Sequence, residues 1–253
     1  MTFEEFSRGD SLLHRTDIRV KLVAAMALTL MIALCQSFYT GLAGLLAGLI
    51  LLLLSRLRPA QVFGRLLVVN SFIGFLWLTL PLTYPGEAVA GFGPVNLSRP
   101  GIELAALITI KANVIFLYFI TLLSTSSIAE LGHGLEGLRL PSKLCLLILF
   151  SYRYIFVISR EYQRLARAAK LRCFRAGTNL HTYRTYAHLF GMTMVKSWNR
   201  AERVGQAMVL RGFHGRFYEL NERRIGRDDL IFLITVMTAV IGLGIIEITN
   251  YKL

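Results

Sequence analysis

The chain has 253 residues, 55% of them hydrophobic and only 17% charged, with a mean hydropathy of +0.55. That balance is too apolar for a soluble domain of this size and points to a membrane protein. The net charge of +13 is nevertheless concentrated: residues 160–227 hold 15 Lys and Arg against four acidic residues, so this block alone carries +11.

The first 21 residues contain Arg8, Arg15, Arg19 and Lys21 with acidic partners, and no apolar run or small-residue cleavage site of their own. The apolar sequence that follows is therefore expected to be retained as an anchor. From Leu22 to Ser55 no residue is charged. One helix of that length would run roughly 51 Å, against a hydrocarbon core of about 30 Å, so the chain is predicted to fold back near Gln36 to Gly41. Ala43, Gly44, Ala47 and Gly48 either permit close helix approach in the second half or belong to an ordinary Leu-rich span.

Arg56, Arg58 and Arg65 mark a basic turn, and Leu66 to Gly86 is again uncharged, with Pro81 and Pro85 expected to close this third span. Residues 82–104, rich in Gly and Pro, form a loop before a fourth span, Ile102 to Ser124. A last span is predicted from Leu230 to about Thr249, after Asp228 and Asp229. The apolar stretch 144–159 is short and interrupted by Arg153 between two tyrosines. A crossing there would carry the +11 block outside, so it is expected to be an interfacial or bundle-packed helix continuing into the basic region.

The expected fold is thus an all-α integral membrane protein with about five transmembrane helices plus long cytoplasmic helices. Its organisation reads as an N-terminal membrane region with four spans (1–124), a cytoplasmic region (125–228) and a C-terminal transmembrane helix (229–253). The excess of Lys and Arg places the N-terminus, the 56–65 turn and the basic block in the cytoplasm.

No catalytic constellation emerges. His14, His133, His181, His188 and His214 follow no metal-ligand spacing, Cys35, Cys145 and Cys173 are odd in number and scattered, and no phosphate-binding glycine loop is present. No pair of carboxylates lies at membrane depth, so no catalytic residue, no resident metal and no bound cofactor are expected. Lys111 is the ionisable residue that stands out inside a predicted span, with Glu247 toward the end of the last one. An intramembrane lysine is a functional candidate because burying it unpaired costs about 2.5 kcal/mol or more, but it can equally orient its helix by pairing near Asn113 or with a carboxylate. Asn96-Leu97-Ser98 fits a glycosylation sequon too short to carry weight.

The informative pattern lies in the basic block. Arg164, Ala168, Leu171, Arg172 and Phe174 recur 39 residues later as Arg203, Ala207, Leu210, Arg211 and Phe213. At about 100° per residue, the first four of each set share one helical stripe, a narrow ridge tipped by arginine. Gly177 and Gly212 are expected to let each helix stop soon after its arginine, beside frayed C-terminal carbonyls. Two helix-end arginines suit two sockets better than they suit nucleic acid, whose binders interleave aromatics along a groove. A basic surface resting on anionic lipid remains the alternative, and with it a lipid-associated membrane scaffold.

These residues resemble the transmembrane T component of energy-coupling factor (ECF) transporters, within it the CbiQ family of cobalt uptake systems. The likeness covers most of the chain. It rests on Asp17-Ile18-Arg19-Val20-Lys21, on Glu130-Leu131 through Leu138-Arg139-Leu140-Pro141, and on Tyr152-Arg153-Tyr154-Ile155-Phe156 followed by Glu161. It is most specific in Arg200-Ala201-Glu202-Arg203 running into Ala207-Met208 and Leu210-Arg211-Gly212-Phe213. The family often carries a proline where Ile18 stands here.

The resemblance implies two coupling helices ending in Arg-centred motifs, Leu171-Arg172-Cys173 and Leu210-Arg211-Gly212, each docking on one of two ATP-binding CbiO-like ATPase subunits. Arg164, Ala168, Glu202, Arg203 and Ala207 would support them. It further implies a CbiM-like substrate-capture membrane subunit, with a CbiN-like small subunit in some systems, and ATP with Mg held by the ATPases. The bacterial cytoplasmic membrane would be the setting, with the N-terminus inside.

Overall fold

The computed structural model describes residues 11–57, 59–85, 88–92, 95–215 and 226–251; for 12, 15, 88–92, 95–97 and 251 it describes the backbone only. Arg8, Arg58 and the part of the basic block at 216–225 lie outside the described residues. Two compact units result, one formed by 1–134 with 223–253 and the other by 135–222.

The first unit contains α1 (Leu12–Arg15), α2 (Ile18–Leu34), α3 (Phe38–Ser55), α4 (Pro59–Thr83), α5 (Arg99–Leu122), most of α6 (Ile128–Gly137) and α9 (Arg227–Tyr251). The predicted fold-back appears at residues 35–37. α5 packs against α2, α3 and α4, while α9 packs against α2 and α3, so the C-terminal helix joins the N-terminal ones in a single core. Ala24, Leu28 and Ile32 of α2, Val114, Tyr118 and Leu122 of α5, and Val236 and Leu243 of α9 are buried together there.

The small residues of α3 serve close packing. A Cβ on Gly44 would collide with Cδ1 of Ile32, and one on Gly48 would lie 2.6 Å from Cδ2 of Leu117. The bare backbone at Gly44 also lets the fully buried Tyr118 donate its hydroxyl to the Gly44 carbonyl at 2.8 Å. An apolar interior offers no competing water, so the contact joins α3 to α5 through both shape and a satisfied polar group. α4 and α5 are joined by a reciprocal amide pair, Asn70 with Asn113, at 3.0 Å in each direction, and by Trp77 donating to Thr109 at 2.8 Å.

The α2–α3 turn shows how an apolar bundle accommodates interrupted backbone. Lys111 of α5 donates to the Ala33 carbonyl at 3.3 Å, one of the acceptors left over at the end of α2. Glu247 of α9 accepts from the Gln36 N–H at 2.7 Å, from Ser37 N–H at 3.2 Å and from the Cys35 thiol at 3.2 Å. Ser37, the N-cap of α3, makes no capping bond with its own side chain. A cation thus meets the negative end of one helix and a carboxylate the positive end of the next. Lys111 bonds a backbone carbonyl and not the carboxylate or Asn113 neighbourhood anticipated from sequence.

Several boundaries differ from the sequence expectations. α4 begins at Pro59, so Arg65, expected in the basic turn, lies within a helix, and Arg56 is left-handed at φ 50°. Pro81 sits inside α4, which continues to Thr83, leaving Pro85 to follow the helix end. The 82–104 loop includes a two-stranded antiparallel hairpin, β1 (Ala88–Phe92) with β2 (Val95–Ser98), because Ala-Val-Ala-Gly-Phe and Val-Asn-Leu-Ser are apolar enough to pair.

The second unit contains α7 (Ser142–Leu171) and α8 (Leu180–Leu210). As expected, the 144–159 stretch continues into the basic region in one helix. Among the described residues, five helices are long and apolar enough to cross a membrane: α3, α4, α5, α7 and α9. Their number matches the expectation, but α7 is among them and the 17-residue α2 is not. At 1.5 Å per residue α2 spans about 25 Å, short of the roughly 30 Å core, because its chain turns back at Cys35. The protein is a multi-pass, predominantly α-helical membrane protein.

Two substitutions test this packing by thermal unfolding of the detergent-purified protein. Gly44→Val pushes on Ile32 of α2 and Val114 of α5 and is expected to cost about 1–3 kcal/mol. Glu247→Ala strands the Gln36 and Ser37 N–H groups, with an expected loss of about 1–3 kcal/mol that Glu247→Gln, which keeps one acceptor, partly recovers.

Candidate coupling helices

α7 and α8 pair through a mixed apolar and ionic seam. Tyr162 stacks on Phe190 with centroids 5.4 Å apart, and Lys196 bonds Glu161 at 2.6 Å. Arg164 approaches the same carboxylate at 3.6 Å from within α7. The Lys196 hydrogen bond, above the charges of Arg164 and Arg200, holds the Glu161 carboxyl below its usual range. That carboxylate therefore keeps its charge, and its bond to α8, well below neutral pH.

The seam sets the repeated stripes apart. Leu165, Ala166 and Ala169 of α7 and Val204 and Met208 of α8 are half-buried. Arg164, Ala168, Leu171 and Arg172, and their counterparts Arg203, Ala207, Leu210 and Arg211, are all exposed, as are Glu202, Cys173 and Gly212. Leu171 and Leu210 are 87% and 88% exposed, which makes each helix tip an uncovered leucine beside an arginine.

The repeat extends from sequence to backbone. α7 ends with the N–H of Arg172 on Ala169 O, of Cys173 on Lys170 O and of Phe174 on Ala169 O, at 3.0, 3.0 and 3.1 Å. α8 ends with Arg211 on Met208 O, Gly212 on Val209 O and Phe213 on Met208 O, at 3.1, 3.0 and 3.0 Å. Both are Schellman stops, whose left-handed residue is Cys173 at φ 61° in the first copy and Gly212 at φ 76° in the second.

Two sequence expectations are corrected here. The first helix is stopped by Cys173, the position 39 residues before Gly212, and Gly177 lies farther on, donating its N–H to Thr182 Oγ1 at 3.1 Å. The terminal carbonyls are also not frayed, since the turn itself occupies them, so neither guanidinium is needed for capping. Phe174 folds back toward α8, edge-on to Tyr186 at 5.8 Å. Sequence gave little hint of Cys173, because a cysteine in left-handed backbone has no compositional signature.

The residues of the Asp17-Ile18-Arg19-Val20-Lys21 motif lie in the other unit. Asp17 caps α2 by accepting the Arg19 N–H at 2.8 Å, and its own N–H reaches Asp229 Oδ1 at 2.8 Å. Lys21, 1% exposed, donates to Ser126 Oγ at 2.9 Å. Sequence reading noted this motif only as part of a likeness and missed its partners, which are more than 100 residues away. Among the described residues, no group of three or more His, Cys, Asp or Glu side chains is placed to hold a metal ion.

Comparison with known proteins agrees with this arrangement. The family described as cobalt transport protein, CbiQ, matches residues 9–220. The energy-coupling factor transporter transmembrane protein EcfT of Macrococcus caseolyticus is 28% identical over 94% of this chain and 94% of its own. That of Listeria innocua is 26% identical over 85% of each chain. The cobalt transport protein CbiQ of Rhodobacter capsulatus is 25% identical over 72% of this chain and 83% of its own. With a match that takes in the α2 cap, all of α7 and α8 and both arginine-tipped ends, the chain belongs to the CbiQ family of membrane transport proteins.

Proposed function

We propose that this protein is the energy-coupling T subunit of an ECF-type importer, linking ATP hydrolysis by two partner ATPase subunits to movement of a substrate-capture membrane subunit for uptake of cobalt or nickel ion. The observation that carries the reading is the pair of geometrically equivalent helix stops, each projecting an exposed leucine and arginine from a helix end. Two equal tips suit two copies of one partner. Cobalt is favoured by the family's name and by the Rhodobacter capsulatus relative.

In this reading Arg172 and Arg211 each enter a groove on one ATPase. A guanidinium binds a carboxylate or backbone carbonyls through two parallel N–H donors, while Leu171 and Leu210 fill apolar surface beside it. The Schellman stop matters because it ends the helix within one residue of the arginine, so that backbone does not block entry. Closure of the ATPase pair on ATP and its reopening after hydrolysis would move the two tips, and the stiff helices would carry that motion. ATP and Mg reside in the ATPases, capture of the ion in a CbiM-like subunit, helped in some systems by a CbiN-like one, and no catalytic step falls to this chain. The tips and the N-terminus lie in the bacterial cytoplasm, with α7 on that side of the inner membrane.

Co-purification with the ATPase subunits in mild detergent, at low and moderate salt, tests the assignment. Wild type is expected to hold two ATPase subunits through moderate salt, and Arg172→Ala with Arg211→Ala to lose them. Each arginine contributes about 2 kcal/mol, whereas the exposed Arg184→Ala should change little. A complex that salt disperses and that ignores both arginines would favour a lipid-associated scaffold. Gly212→Val places a β-branched residue in left-handed backbone at a cost of about 1–3 kcal/mol. It is expected to fray the end of α8, seen as faster amide exchange at 207–211, and to weaken ATPase binding although both arginines remain.

A further inference from the structure

The two units are joined by the chain twice: once inside α6, at Gly134 and Leu135, and once at 222 and 223, just ahead of α9. Both junctions lead back to one place in the membrane unit, the first turn of α2. On the α6 side, Lys21 Nζ donates to Ser126 Oγ at 2.9 Å and approaches Thr125 Oγ1 at 3.5 Å, immediately before the helix. α6 then starts in a reciprocal cap: Ser127 N–H donates to Glu130 Oε2 at 3.0 Å and Glu130 N–H to Ser127 Oγ at 3.2 Å. Two turns on, α6 lies directly on α2, where a Cβ at Gly134 would stand 2.6 Å from Cγ2 of Ile18.

The α9 side is tied to the same turn. Asp229 accepts the Gly226 N–H at 2.9 Å with one carboxylate oxygen and the Asp17 N–H at 2.8 Å with the other. Asp17, Lys21, Thr125, Ser126 and Asp229 are all at most 7% exposed. Within an apolar surrounding such bonds resist breaking, since each stranded partner costs about 1–3 kcal/mol. A helix seated at both its start and its second turn moves with what it is seated on.

We propose that the first turn of α2, Asp17 to Lys21, is the transmission hub: displacement of the coupling-helix unit reaches the membrane helices through Lys21 and Ile18 on the α6 side and through Asp17 on the α9 side. These are positioning residues that touch no nucleotide and no transported ion. The proposal rests on the coupling function inferred above. It assigns the N-terminal motif a mechanical task distinct from docking.

The experiment uses the complete complex with its ATPase and capture subunits in liposomes, and reads ATPase stoichiometry, ATP hydrolysis and cobalt uptake. Lys21→Met keeps the length of the stem and removes the donor; the complex is expected to retain two ATPase subunits and hydrolysis within about twofold while uptake falls at least tenfold. Gly134→Ala, which pushes on the two γ carbons of Ile18, should uncouple in the same way, and Ile18→Ala in that background, which removes both, should restore uptake. Arg172→Ala with Arg211→Ala behaves differently, losing the ATPases themselves. Unchanged uptake in Lys21→Met and Gly134→Ala overturns the hub, as does a proportional loss of uptake, hydrolysis and assembly without rescue by Ile18→Ala. Failure of the wild-type chain to hold ATPases overturns the coupling function itself, and the hub with it.

Discussion

A helix that ends leaves carbonyls at one terminus, and the next helix N–H groups at its start, without partners inside either helix. The membrane unit depends on meeting that demand at the α2–α3 turn. Lys111 comes from α5 and Glu247 from α9, so the two ionisable residues that look anomalous in the apolar sequence bind the two ends of an interrupted backbone. Because those side chains start from different helices, closing the turn also fixes α5 and α9 beside α2. Glycine then draws α3 in: Gly44 leaves room for Ile32 of α2 and Gly48 for Leu117 of α5, and the Tyr118 hydroxyl fills the Gly44 carbonyl.

The coupling unit follows a different logic. Its two helices pair through Tyr162, Phe190, Glu161 and Lys196, while the repeated ridges turn away from the pairing seam. Leucines nearly nine-tenths exposed at both helix ends are uneconomical for an isolated unit and sensible for one that covers them with a partner. The matching Schellman stops give the two tips one shape, although their left-handed residues differ. Glycine enters that conformation freely; Cys173 does so against the clash of its own Cβ. The first tip thus has the geometry of the second although a cysteine stands where the second has glycine.

The first turn of α2 bonds to the chain on both of its sides: Lys21 and Ile18 meet the α6 side and Asp17 the α9 side. In the function proposed above, the exposed Arg172 and Arg211 reach for a partner, while the buried Lys21 holds an internal joint.

Much of this was legible in the amino-acid sequence. Uninterrupted apolar runs determined the helices of the membrane unit, the fold-back near residue 36 and the last span, since hydrocarbon thickness bounds helix length whatever the neighbours are. The 39-residue repeat identified Arg172 and Arg211 because local helical periodicity places them on one stripe. Tertiary structure decided what local pattern cannot encode: that Lys111 and Glu247 serve two ends of one turn, that Asp17 and Lys21 meet Asp229 and Ser126 from more than 100 residues away, and that Cys173 and not Gly177 stops α7. Each of these depends on groups brought together by packing, or on a backbone torsion set by the hydrogen bonds around it, and neither leaves a periodic trace along the chain.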